Sequence, residues 1–118
     1  MWKIYLAVLL AALFVNADPA SAKRATPKPV SPVVHEGITY SAPNQGGSAV
    51  YVVASDATGK EQFRIKVFDT PIDPKMEEDV QWVFITELKS EGDFLLVKDE
   101  KGRCFAINLT TRSVSRKY

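Results

Sequence analysis

From Gly37 onward, apolar and polar residues alternate along most of the chain with the period of two that marks half-buried strands. In EQFRIKVF, Phe63, Ile65 and Val67 share one face, and Gln62, Arg64 and Lys66 share the other. VQWVFITEL sets Val80, Trp82, Phe84 and Leu88 on one side. Its opposite side (Gln81, Val83, Ile85, Glu87) is partly apolar too, which predicts a central strand with Trp82 in the core. FLLVKD and RCFAINL flank DEKG, whose Gly102 suits a tight turn. RSVSRK follows through LTT. With ITY and AVYVVAS these runs predict about seven short strands, a mostly β domain folded as a small antiparallel meander.

One segment breaks the alternation. DTPIDPKMEEDV is acidic, and Asp73 before Pro74 reads as the N-cap and first position of a short acidic helical turn. Clustered carboxylates over residues 69–79 also suit a calcium loop, because hard cations take oxygen ligands. The spacing lacks the D-x-D-x-D-G order, and Pro71 and Pro74 restrict how the loop can wrap. A solvated connector is therefore expected, with no metal.

The N-terminus has a different character. Lys3 precedes a continuous apolar run, Ile4–Val15, and Ala20-Ser21-Ala22 forms an A-x-A site before Lys23. These are the parts of a secretory signal peptide, residues 1–22, with cleavage between Ala22 and Lys23. The run is shorter than the ~20 apolar residues of a membrane span. The sequence thus predicts a secreted or periplasmic protein with no stable membrane span after processing. Residues 23–36, rich in proline and basic side chains, predict a disordered leader. Residues 37–118 predict one β-domain. A net charge of +1, from 15 basic and 14 acidic residues, gives no electrostatic case for nucleic acid as partner. Cys104 is the single cysteine, so no internal disulfide can form, and its place in RCFAINL predicts a buried, inert thiol.

VYVVASDATGKEQFR resembles the repeat of PQQ-type quinoprotein β-propellers, in which a strand ending in alanine and aspartate runs through a T-G-K turn into a strand bearing an aromatic. FLLVKDEKGRCFAINLTTRSVSR is similar to a second, more degenerate copy, with Ala54 opposite Ala106, Asp56 opposite Asn108 and Thr58 opposite Thr110. The resemblance implies a blade-like four-stranded or twisted meander sheet. Two such sheets would pack face to face, or their ends would curl into a small open barrel. Two copies are too few to close a propeller, which takes about four blades or more. Phe63 also stands where the first copy would carry the family's tryptophan. No quinone cofactor or dehydrogenase activity is carried over, and no cofactor is expected.

Reactive chemistry has few candidates. His35 is the only histidine and has no nucleophile motif beside it. Carboxylates such as Asp56, Glu61, Asp99 and Glu100 fall in turns, and no phosphate loop, H-E-x-x-H or C-x-x-C is present. Asn108-Leu109-Thr110 is a glycosylation sequon, but in a sequence of bacterial character Asn108 reads as a turn residue. Basic and aromatic groups on an open sheet suggest a contact surface made of Tyr40, Tyr51, Arg64 and Lys66. The partner would be another protein or a cell-envelope polysaccharide, and exposed strand edges leave room for an edge-strand oligomer. The sequence therefore predicts a non-catalytic binding or interaction module. The alternative is an accessory hydrolase or redox enzyme using carboxylates or a bound cofactor. The discriminating feature is whether the acids of the 69–79 connector converge on a pocket with Trp82 or point into solvent.

Overall fold

The computed structural model describes residues 26–118. The expected signal peptide and its Ala22–Lys23 junction lie outside the described residues. Eight strands form two antiparallel sheets, each a meander in chain order: β1 (Val33–His35), β2 (Ile38–Ser41), β3 (Ala49–Ser55) and β4 (Glu61–Asp69), then β5 (Ile85–Glu91), β6 (Phe94–Asp99), β7 (Cys104–Asn108) and β8 (Val114–Arg116). The mostly β, antiparallel class read from the alternation is the observed one. Among the described residues no closed barrel forms; β1 lies against β5, and the two sheets share one apolar core.

Tight turns explain why neighbouring strands pair. His35 pairs with Ile38 across Glu36 and Gly37, both at positive φ (50° and 79°), as the commonest two-residue hairpin turn requires. Glu91 pairs with Phe94 across Gly92 and Asp93, with Gly92 at φ 60° in the first central position, which a mirror-image turn reserves for glycine. The strand β1 falls inside the segment expected to be a disordered leader. Sheet structure begins at Val33 because the Glu36–Gly37 turn folds Val33–His35 back onto β2.

The first sheet turns Tyr40, Val50, Val52, Ala54, Ile65, Val67 and Phe68 inward. The second contributes Ile85, Leu88, Leu95, Val97, Phe105 and Ile107. Phe68 and Phe105 stack across the interface, centroids 5.1 Å apart and rings inclined by 17°. Arg103 lies over both rings, 4.8 Å from the Phe68 centroid and 5.5 Å from that of Phe105, and its Nε donates to Asp99 Oδ2 at 2.6 Å. Arg112, from the β7–β8 turn, sits 3.5 Å from the Phe63 centroid. Cation–π contacts of this kind contribute about 0.5–2 kcal/mol each, depending on solvation.

Two expectations are corrected. The strand predicted across VQWVFITEL starts only at Ile85, and β5 is an edge strand, not a central one. Val80 is exposed and Trp82 half-buried; Val83, Phe84, Ile85 and Leu88 are the buried residues there. The acidic helical turn is a 3-10 turn at Asp79–Gln81. Asp73 begins a separate turn upstream, its Oδ1 accepting from Lys75 N–H at 2.9 Å.

Candidate binding surface

Three of the four residues singled out for binding meet on the outward face of the first sheet. Tyr51 pairs with Lys66 and Val53 with Arg64 across β3 and β4, so these side chains share one side. The Arg64 guanidinium lies 5.4 Å from the Tyr51 ring centroid. The structure does not bring Tyr40 to them. Tyr40 faces the core, 4% exposed, edge-on to Phe63 with centroids 6.5 Å apart. Burial raises its phenol pKa, partly opposed by the nearby Arg112 charge.

The basic character of this face is cancelled locally. Arg64 donates through Nε and an Nη to the two carboxylate oxygens of Glu61, each at 2.9 Å. That hydrogen bond holds the Glu61 carboxyl below its ordinary range and raises the guanidinium. Lys66 Nζ pairs with Asp69 at 2.9 Å, a bond that raises the ammonium pKa. Two cations and two anions leave no net charge to draw a polyanion.

Next to this face the chain PNQGG folds into a loop whose residues sequence reasoning passed over. Asn44, at φ 50°, replaces a neighbouring strand for Ile85. Its Nδ2 donates to Ile85 O at 2.9 Å and its Oδ1 accepts from Ile85 N–H at 3.0 Å. Gly46 lies directly against Trp82; a Cβ there would stand 2.5 Å from the indole Cζ3. The tell-tale sequence signal was the glycine pair after Asn44, which marks a loop where backbone can approach another group closely.

Two clefts open on either side of the Gly46–Trp82 contact. One, of about 110 Å³, is lined by Asn44, Gly46, Tyr51, Arg64 and Val83 among others. The other, wider at about 640 Å³, is lined by Thr70, Pro71, Gln81, Trp82, Val83, Glu100 and their neighbours. Val83 is common to both, so the clefts adjoin. The Thr70 hydroxyl is buried beside the wider cleft with no hydrogen-bond partner.

The connector acids do not line the wider cleft. Asp69, Asp73, Glu77 and Glu78 are exposed. The connector is organised instead by Gln81, whose amide accepts from Asp73 N–H at 2.8 Å and donates to the carbonyls of Asp73 and Glu77 at 3.0 Å each. Glu78 Oε2 accepts from the indole Nε1–H of Trp82 at 3.2 Å. Glu100, which does line the cleft, accepts from Phe84 N–H at 2.9 Å.

His35 lies away from both clefts. Its Nε2 is 3.8 Å from Glu36 Oε2 and 3.8 Å from Asp93 Oδ1. Cys104 is 1% exposed and outside the shared core, on the outer side of the second sheet, where its N–H donates to Tyr118 O and its carbonyl accepts from Lys117 N–H. Asn108 is the last residue of β7, and its Oδ1 organises the turn that follows by accepting from Thr110 and Thr111 N–H. Among the described residues no helix is long and apolar enough to cross a membrane.

The fold and surface define a small all-β protein with two adjoining aromatic-walled clefts. No known protein family matches the chain, and neither do curated proteins or solved structures.

Proposed function

We propose that this chain is a non-catalytic binding module, working outside the cytoplasm, that holds an uncharged strand of cell-envelope polysaccharide along the surface from Tyr51 to Trp82. The observation that carries this reading is the pairing of two aromatic-walled clefts with connector acids that line neither of them, Glu78 touching a wall through the Trp82 indole N–H. Aromatic rings offer flat apolar area against which the C–H face of a sugar ring packs, while nearby amide and hydroxyl groups hydrogen-bond its hydroxyls. Local pairing of Arg64 and Lys66 with acids favours a neutral polymer over a polyanion. Export rests on the pattern of residues 1–22 and belongs to the same proposal.

The test is calorimetric and NMR titration with soluble, uncharged cell-envelope glycan fragments, with the glycan analysed afterwards. Saturable binding is expected, with amide shifts concentrated at residues 44–51, 64 and 82–84 and the glycan intact. Tyr51→Ala and Trp82→Ala should each weaken binding about tenfold, the loss of one aromatic anchor. Absence of binding, or shifts elsewhere on the fold, overturns the reading. Progressive cleavage of the glycan would instead favour the hydrolase alternative.

A further inference from the structure

The turns Glu36–Gly37 of the first sheet and Gly92–Asp93 of the second meet at His35. One imidazole nitrogen and two carboxylate oxygens there lie within 4.8 Å of one another. His35 is mostly buried, its side chain 19% exposed, whereas Glu36 and Asp93 are open to solvent at 80% and 69%. At 3.8 Å neither carboxylate hydrogen-bonds the imidazole, since such bonds run to about 3.2 Å. The spacing suits a different arrangement. Ligands held about 2.0–2.2 Å from a tetrahedral metal stand roughly 3.3–3.6 Å from one another. The two nitrogen–oxygen distances already approach that spacing, and the two carboxylate oxygens, within 4.8 Å of one another, close on it by rotation of exposed side chains.

We propose that His35, Glu36 and Asp93 form a binding site for a divalent transition metal of the zinc class. The donor set fits this class. Imidazole nitrogen suits zinc, copper and nickel, whereas calcium takes six to eight oxygens, more than two carboxylates supply. Two carboxylates balance the charge of a divalent ion, and a neutral imidazole completes three protein ligands. The fourth position is left to solvent or to a group on a partner. The carboxylates face solvent, so a metal enters without opening the core. Because Glu36 and Asp93 belong to different sheets, the metal clamps the two at the place where β1 meets β5. None of these residues lines the clefts of the proposed glycan surface, so this site stands or falls separately from that reading.

The chain's composition makes the test selective. It has one histidine, and its one cysteine is buried, so any imidazole-dependent metal binding belongs to His35. The experiment titrates the protein, carrying no histidine tag, with zinc chloride while following the imidazole resonances by NMR and the heat by calorimetry. One-to-one saturable binding with a shift of the His35 ring is expected. Glu36→Gln and Asp93→Asn, both at exposed positions that leave the strands intact, should each weaken affinity about tenfold or more. His35→Gln should abolish the imidazole-linked site. Three results would overturn the proposal: imidazole resonances that stay put at millimolar zinc, unchanged affinity in His35→Gln, or undiminished affinity in Asp93→Asn. The last would leave at most His35 and Glu36 of a single turn, with no metal link between the sheets.

Discussion

Asp56 and Asp99 occupy one position in two turns of the same construction. In each, the Oδ1 accepts from the second and fourth N–H groups onward, Thr58 and Lys60 in one case, Lys101 and Arg103 in the other. In each, the glycine three residues on, Gly59 or Gly102, donates to the aspartate carbonyl. Burial separates them. Asp99 has a fully buried side chain joined to Arg103, while Asp56 sits at the surface. Asp99→Ala would strand the Arg103 charge beside Phe68 and Phe105, and we expect it to cost about 3 kcal/mol or more in urea unfolding. Asp56→Ala should cost far less, because water replaces its bonds. The Asp56 carboxyl is held below its ordinary range, first by the Thr58 hydroxyl and then by the Lys60 N–H. The Glu61 carboxyl is likewise held down by Arg64. Their contribution is therefore complete above the ordinary carboxylate range, about pH 4, and is lost as pH falls through the lowered values. Asp56→Asn should flatten part of that acid limb in stability measured against pH.

At the scale of elements, the late start of β5 shows how side chains displace a strand that alternation alone would extend. Glu100 accepts from Phe84 N–H through its side chain, while its own N–H donates to Phe84 O at 3.0 Å. Asn44 serves both backbone groups of Ile85. Phe84 consequently has both backbone groups bonded ahead of the strand, and Trp82 turns to Gly46 and the cleft instead of the core. Asn44→Gly keeps the positive φ available and removes only the amide. Two partly buried bonds at about 1 kcal/mol each put its expected cost near 2 kcal/mol in chemical unfolding. Alternation is blind to such substitutions because it records which residues are apolar, not which side chain mimics a strand. The same limit hid β1, whose turn uses Glu36 where asparagine or aspartate is the usual signal.

For the whole molecule, the two meanders share one apolar core, and specific cross-sheet contacts mark it at separate places: Phe68 on Phe105 beneath Arg103, Arg112 on Phe63, and His35 beside Asp93. Phe68→Ala removes a stacked partner and leaves a cavity between the sheets. A loss of about 3–5 kcal/mol is expected in thermal or urea unfolding. The edge strand β4, nine residues long, presents Glu61, Arg64, Lys66 and Asp69 to solvent and is out of register with β3 at two places. Charges and bulges on a long edge discourage pairing with another chain.

The sequence by itself determined the β class, the antiparallel order and most strand positions, because alternation and turn chemistry act over a few neighbouring residues. It also placed Arg64 and Lys66 on one strand face, and the β3–β4 pairing then set Tyr51 opposite Lys66. Tyr40 was misplaced for want of the β2 register, which pairs Tyr40 with the inward-facing Ala54 and so turns it to the core. The tertiary structure alone decided what meets across the sheets: Gly46 against Trp82, Asn44 on Ile85, and His35 with Asp93. Those encounters join residues 36 to 58 positions apart in the chain, and local periodicity carries no information about which distant turns two packed sheets bring together.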